Sequence, residues 1–127
     1  GDQGVAWKVT DDTTEALSAR RQKTEKKKRI VQITAVIDLP GGYSAIRMEE
    51  LKPLSDQVTS ELDGARKSGA GWLWEPKAWD PAVWKKYDFD QLIDDATQIG
   101  ITSPDLKSDN LMLNKTGQLV LIDLGQG

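Results

Sequence analysis

Ser103–Gly127 reads SPDLKSDNLMLNKTGQLVLIDLGQG, and this stretch decides what kind of chain this is. Leu111–Asn114 and Gln118–Ile122 are short apolar runs on either side of Lys115-Thr116-Gly117, so strand, turn and strand follow one another. The polar residues around them come in a particular order. Asp105 presents a carboxylate, Lys107 a cation two residues later, and Asn110 a carboxamide five residues later. The hairpin then returns a second carboxylate, Asp123, to the same place, with Gly125 freeing the backbone just beyond.

Upstream, Val5–Thr10 is rich in β-branched and aromatic residues and reads as a strand. Asp11 and Asp12 offer N-cap chemistry, with Glu15 three residues after Asp12 in a capping-box arrangement. They open a polar helix predicted from Thr13 to Lys28, with Ala16, Leu17 and Ala19 as its only apolar positions. So thin a stripe predicts weak attachment to the domain. Ile30–Leu39 and Tyr43–Met48 read as strands joined through Pro40-Gly41-Gly42. Leu54–Lys67 is helical by pattern, with Leu54, Val58 and Leu62 on one face, and Ser68–Gly71 ends it. Asp80-Pro81 has the cap signature of a short helix. Asp88–Ile99 is a further helix, burying Phe89, Leu92, Ile93 and Ala96 and stopped by Gly100. Strands precede helices, so the expected class is α+β rather than a doubly wound parallel sheet.

Composition narrows the chemistry. There is neither Cys nor His, which removes thiol nucleophiles, disulfides, Cys/His zinc sites and Ser-His triads. Catalysis would have to rest on carboxylates, Lys, Asn and backbone groups. The net charge is −3, with nine basic and eight acidic residues in 1–50 but eight and twelve in 51–127. Such a chain is a poor general nucleic-acid binder. The run Lys23, Lys26, Lys27, Lys28, Arg29 is expected to be a solvated helix face, with a phosphate- or acid-binding patch as the alternative. No stretch approaches the roughly 20 apolar residues of a membrane span, and the first ten residues lack a signal-peptide pattern. Trp72, Trp74, Trp79 and Trp84 are expected either to pack beneath a long loop or to form a surface for a protein partner.

The residues of the closing loops suit phosphoryl transfer. One carboxylate can orient an attacking hydroxyl, an amide and a second carboxylate can hold Mg²⁺ against phosphates, and a Lys can offset charge on the transferred group. Asp105-Leu106-Lys107-Ser108-Asp109-Asn110, followed eighteen residues after Asp105 by Asp123-Leu124-Gly125, resembles the catalytic and metal-binding loops of the protein kinases. The resemblance implies a kinase-like α+β fold: a small antiparallel-sheet N-lobe over residues 1–52, ending at the start of the hinge, and a reduced helical C-lobe with both loops over residues 53–127. It implies Asp105 as catalytic base, Lys107 as the phosphate-facing Lys, and Asn110 and Asp123 as metal ligands, with ATP and Mg²⁺ as cofactors. Val5-Ala6-Trp7-Lys8 resembles the strand whose Lys meets the α- and β-phosphates. That Lys needs a carboxylate partner from the next helix. Glu15 and Glu25 are the candidates; Glu15 is preferred because Glu25 leaves too little chain before the next strand. Met48 would stand at the gatekeeper position, and Glu49 to Leu51 would form the hinge that binds adenine.

Lys107 makes the pattern more similar to Ser/Thr protein kinases than to small-molecule kinases, so the implied substrate is a protein. Three features depart from the family. No G-x-G-x-x-G loop is present, since Gly1 and Gly4 lie too close to Lys8; Ser103-Pro104 replaces the usual His-Arg; and the activation segment is missing. A fragment of a longer kinase is one expectation. A minimal one is the other: YSAIRMEELKPLSD, residues 43–56, is similar to the hinge of compact kinases among bacterial type III secretion effectors. That resemblance implies a cytoplasmic protein, acting in the host cytosol if secreted, with a role in virulence. The alternative function is a pseudokinase or protein-docking module with little or no catalysis.

Overall fold

The computed structural model describes residues 4–69 and 71–125, so Gly1 and Ala70, which figure in the sequence readings, lie outside the described residues. The chain is α+β, built on β1 (Val5–Thr10), α1 (Thr13–Glu25), β2 (Ile33–Asp38), β3 (Ser44–Glu49), α2 (Asp56–Ala65), α3 (Pro81–Lys86), α4 (Phe89–Gln98), β4 (Leu111–Leu113) and β5 (Leu119–Leu121). The first three strands form an antiparallel sheet in the order β1-β3-β2, and β4 and β5 pair as a separate antiparallel hairpin. Among the described residues no helix is long and apolar enough to cross a membrane.

Helix α1 begins with the expected cap, the Asp12 carboxylate accepting the N–H groups of Thr14 and Glu15, but the reciprocal half of the capping box does not form, because the Asp12 N–H bonds Thr10 Oγ1 and the Glu15 carboxylate turns to Lys8. It ends three residues earlier than expected, because Lys26 takes up a left-handed conformation (φ 54°) and returns its N–H to the Gln22 carbonyl. Nor is its attachment as weak as its apolar stripe suggests. Leu17 is half exposed, while Gln22 is fully buried. The Gln22 amide donates to the carbonyls of Lys27, Ile30 and Val31 and accepts the Lys27 N–H at 2.9 Å. A buried amide so fully satisfied fixes the path of the chain out of the helix.

That path explains the second difference. Ile30 does not open β2, which starts at Ile33; its segment crosses to the other sheet. Val31 N–H bonds the Leu121 carbonyl and Leu121 N–H bonds the Arg29 carbonyl, both at 3.0 Å. On the opposite side Lys52 and Leu113 exchange both backbone bonds, at 3.2 and 2.9 Å. The β4–β5 hairpin is thus pinned between two segments of the first half. The buried cluster is correspondingly shared, with Ile30 and Ile46 from the first half and Trp79, Leu92 and Leu121 from the second.

Helix α2 starts at Asp56 rather than Leu54, capped by Ser55, and stops at Ala65, where Arg66 turns extended and bridges Trp79. Helix α3 has the expected Asp80 cap and Pro81 start. Helix α4 is one residue shorter at each end than its pattern. Tyr87 and Lys86, at the end of α3, both hydrogen-bond Glu61 of α2. The Lys86 ammonium first, and the Tyr87 hydroxyl second, hold the Glu61 carboxyl below its ordinary value of 4.5. A lowered carboxyl pKa contributes stability above the unfolded value, and that contribution is lost as pH falls through the folded one. The melting-temperature gap between the protein and Glu61→Gln should therefore narrow as pH drops below 4.5, read by thermal melts across an acid series.

Candidate active site

The loop 105–110 is organised from within. Asn110 donates its side-chain amide to the Asp105 carbonyl at 3.1 Å, and its own N–H bonds the Lys107 carbonyl at 2.9 Å in a single 3-10 turn, Ser108–Asn110. With its NH₂ so held, the Asn110 side-chain oxygen keeps its acceptor lone pairs. Lys107 Nζ lies 3.2 Å from Asp105 Oδ2, with the Lys half exposed. Leu106, between these two polar residues, is fully buried and anchors the loop.

Strand β5 then delivers Asp123. Ile122 N–H bonds the Asn110 carbonyl at 3.0 Å, so Asn110 and the residue next to Asp123 are joined directly. Asp123 Oδ1 accepts the Gly125 N–H at 3.0 Å, closing a tight turn over buried Leu124. The turn packs on the start of α1: a Cβ at Gly125 would lie 3.0 Å from Asp12 Oδ2 and 4.0 Å from Glu15 Cβ. A larger residue at Gly125 would press on the Asp12 carboxylate, whose other oxygen is held by two backbone N–H groups.

Glu15 is where the first half enters. Lys8 Nζ, on β1, sits 2.6 Å from Glu15 Oε2, the carboxylate almost fully buried and the Lys accessible. Glu25, the other candidate, is ten residues further along α1, about 15 Å down its axis. One turn of helix thus carries Asp12 and Glu15 between Lys8 on one side and the Asp123 turn on the other. Lys8 and Glu15 come from one end of the chain, and Asp123 with the 105–110 loop that it joins through Ile122 comes from the other.

The Met48 segment lies along the same sheet. Met48 pairs with Ala6 in the β1–β3 register, two residues from Lys8 on the same face of the strand. Glu49 remains within β3; its N–H bonds the Gln32 carbonyl and its carboxylate accepts the Gln32 N–H. The Glu50 N–H bonds the Gly4 carbonyl. Leu51 is partly buried against the core.

The four Trp residues divide. Trp79 and Trp84 are core residues and offer no surface to a partner, which corrects that part of the expectation. Their rings meet Phe89 at centroid distances of 5.0 and 5.3 Å. Trp72 is 65% exposed and stacks parallel on Trp74 at 5.2 Å.

Three positions escaped the sequence reading. Asp12 was readable as a cap but not as a neighbour of Gly125. Gln22 carried no signal, since an amide on a helix reads as solvated. Asp63 accepts the Ser108 hydroxyl at 3.0 Å across 45 residues of chain, a contact no local pattern encodes. Among the described residues no three His, Cys, Asp or Glu side chains gather into a metal site of their own. Asn110 and Asp123, brought near each other by the Ile122 N–H bond to the Asn110 carbonyl, would each offer one side-chain oxygen to Mg²⁺, a cation that takes one or two protein oxygens and fills its shell with water and phosphate. No protein-family model matches the chain, and no curated protein matches it.

Proposed function

We propose that the chain is the catalytic core of an ATP- and Mg²⁺-dependent kinase that transfers phosphate to Ser or Thr of a protein, on a kinase-like fold. The observation that carries this reading is the Lys8–Glu15 ion pair at 2.6 Å, set beside the turn that bears Asp123. A lone surface Lys on a strand needs no buried carboxylate. A Lys that must present its ammonium to phosphates does, because the carboxylate fixes where the cation points.

In this reading Lys8 meets the α- and β-phosphates. Asn110 and Asp123 hold Mg²⁺, which when bound draws charge from the phosphate oxygens. Asp105 accepts the hydrogen bond of the incoming hydroxyl and orients it for in-line attack. Lys107, now on Asp105, is long enough to swing to the transferred group and offset its charge. In the 49–51 segment the N–H groups of Glu49 and Glu50 are engaged by Gln32 and Gly4. The Leu51 N–H is therefore the donor for an adenine edge, with Met48 behind it.

The test is phosphoryl transfer from radiolabelled ATP with Mg²⁺ to a generic acceptor protein, run beside Asp105→Ala. The protein should label the acceptor, and Asp105→Ala should lower the rate by about 10²–10⁴-fold, the usual worth of a positioned base. Both proteins should show the same ATP-induced rise in melting temperature, since Asp105 is assigned to the hydroxyl and not to the nucleotide. Absence of both transfer and thermal shift would sink the proposal. A thermal shift without transfer would point to a nucleotide-binding docking module.

A further inference from the structure

Next to the 105–110 loop, on the side of α2, lies an open cavity of about 410 Å³, lined by Asp63, Arg66, Lys67, Trp72 and Leu73 among others. It adjoins the candidate site through Asp63, which accepts the hydroxyl of Ser108, the neighbour of Lys107. Its charge is unbalanced. Arg66 and Lys67 are exposed and form no ion pair among the described residues, whereas nearby Lys77 and Lys86 are paired with Glu75 and Glu61. Against them the lining sets one carboxylate, Asp63, which accepts the Ser108 hydroxyl and leaves the cations in excess by one.

The lining also carries an aromatic ring. Trp72, 65% exposed, keeps its plane within 6° of Trp74. A stacked, preset ring loses little freedom when something lies against it, which is why exposed Trp residues so often anchor partners.

We infer that, given the kinase reading above, this groove docks an extended acidic stretch of the protein substrate. Asp or Glu side chains a few residues from the acceptor Ser or Thr meet Arg66 and Lys67, and an apolar side chain lies on Trp72. The Arg66 fork takes a carboxylate through two parallel hydrogen bonds, and Lys67 adds a second charge. A basic peptide would face two cations against the one carboxylate of Asp63, so the groove selects against it as well as for its opposite.

Binding can be read without catalysis. Short fluorescent peptides with one Ser among Asp and Glu residues are titrated with the full chain and followed by anisotropy. Matched peptides carry Asn and Gln, or Lys and Arg, in the acidic positions. The acidic peptide should bind about tenfold tighter than the neutral one and weaken as salt is raised. Arg66→Glu with Lys67→Glu should remove that preference, and Trp72→Ala should weaken the acidic peptide about fivefold or more. All three side chains are exposed, so melting temperature and ATP-induced shift should stay unchanged in these variants. Equal or better binding of the neutral or basic peptide overturns the inference, as does acidic binding indifferent to Arg66→Glu and Lys67→Glu. Neither result touches the kinase reading. Conversely, failure of phosphoryl transfer leaves the measured peptide preference standing.

Discussion

Trp79→Ala is expected to cost the fold about 3–5 kcal/mol, the range for truncating a buried Trp, and to lower the melting temperature by on the order of 10–20 °C. The side chain is fully buried, and its ring packs on Phe89, which Trp84 also meets edge-on at 76°. Removing it leaves a cavity beside Phe89 of α4 and the 72–78 loop. It also strands a partner, since Trp79 Nε1 donates to the Leu73 carbonyl at 2.7 Å. Total stabilities of domains run to only about 5–15 kcal/mol, so a loss of this size is a large fraction of the whole. Trp72→Ala is the control, within about 0.5 kcal/mol of the parent because the ring is exposed. Thermal or urea unfolding of the two variants side by side checks both halves. Equal destabilisation would mean that the Trp79 pocket is not packed as described.

These two Trp residues also mark the limit of what could be read from the sequence. Trp72, Trp74, Trp79 and Trp84 fall within thirteen residues, and neither helical nor strand periodicity runs through them. Nothing local distinguishes the ring that turns inward from the ring that turns out. Elements with their own punctuation were legible: Asp12 before α1, Asp80-Pro81 before α3, and Pro40–Gly42 between β2 and β3. Ile30–Val31 reads as the start of a strand because its residues are β-branched and apolar. Its hydrogen bonds instead go to Arg29–Leu121 pairing, a contact 90 residues long that no window contains. The same contrast holds at the site. Asp105, Lys107 and Asn110 lie within six residues, so their order alone suggested a shared task. The choice of Glu15 over Glu25 came from counting chain between elements, and the helix rise gives the physical reason. The docking of the Asp123 turn on Asp12 was invisible, because it depends on the hairpin being pinned at Ile30 and Lys52 at once.

The second large effect is at that turn. On the proposed kinase reading, with Asp123 as a ligand of Mg²⁺, Asp123→Ala is expected to lower phosphoryl transfer by about 10³-fold, since a metal that stabilises transition-state charge contributes several kcal/mol and each 1.36 kcal/mol is tenfold. The fold should survive. Asp123 is only partly buried, and its one described bond in the molecule is the local contact to the Gly125 N–H. Its loss frees a turn of three residues and leaves the backbone bonds of Ile122 and Leu121 to Asn110 and Arg29 intact. The neighbouring Leu124, almost fully buried in the shared cluster, behaves in the opposite way. Leu124→Ala should destabilise by about 2–5 kcal/mol and lose activity only in proportion to the folded fraction. Mg²⁺ dependence separates the two. In Asp123→Ala the residual rate should need more Mg²⁺ to saturate, because Asn110 alone remains to hold the ion, whereas folded Leu124→Ala should keep the parent's Mg²⁺ requirement. If Asp123→Ala transferred phosphate at the parent rate with an unchanged Mg²⁺ requirement, the metal role of Asp123 would fall, and with it the reason for the turn to sit against Glu15.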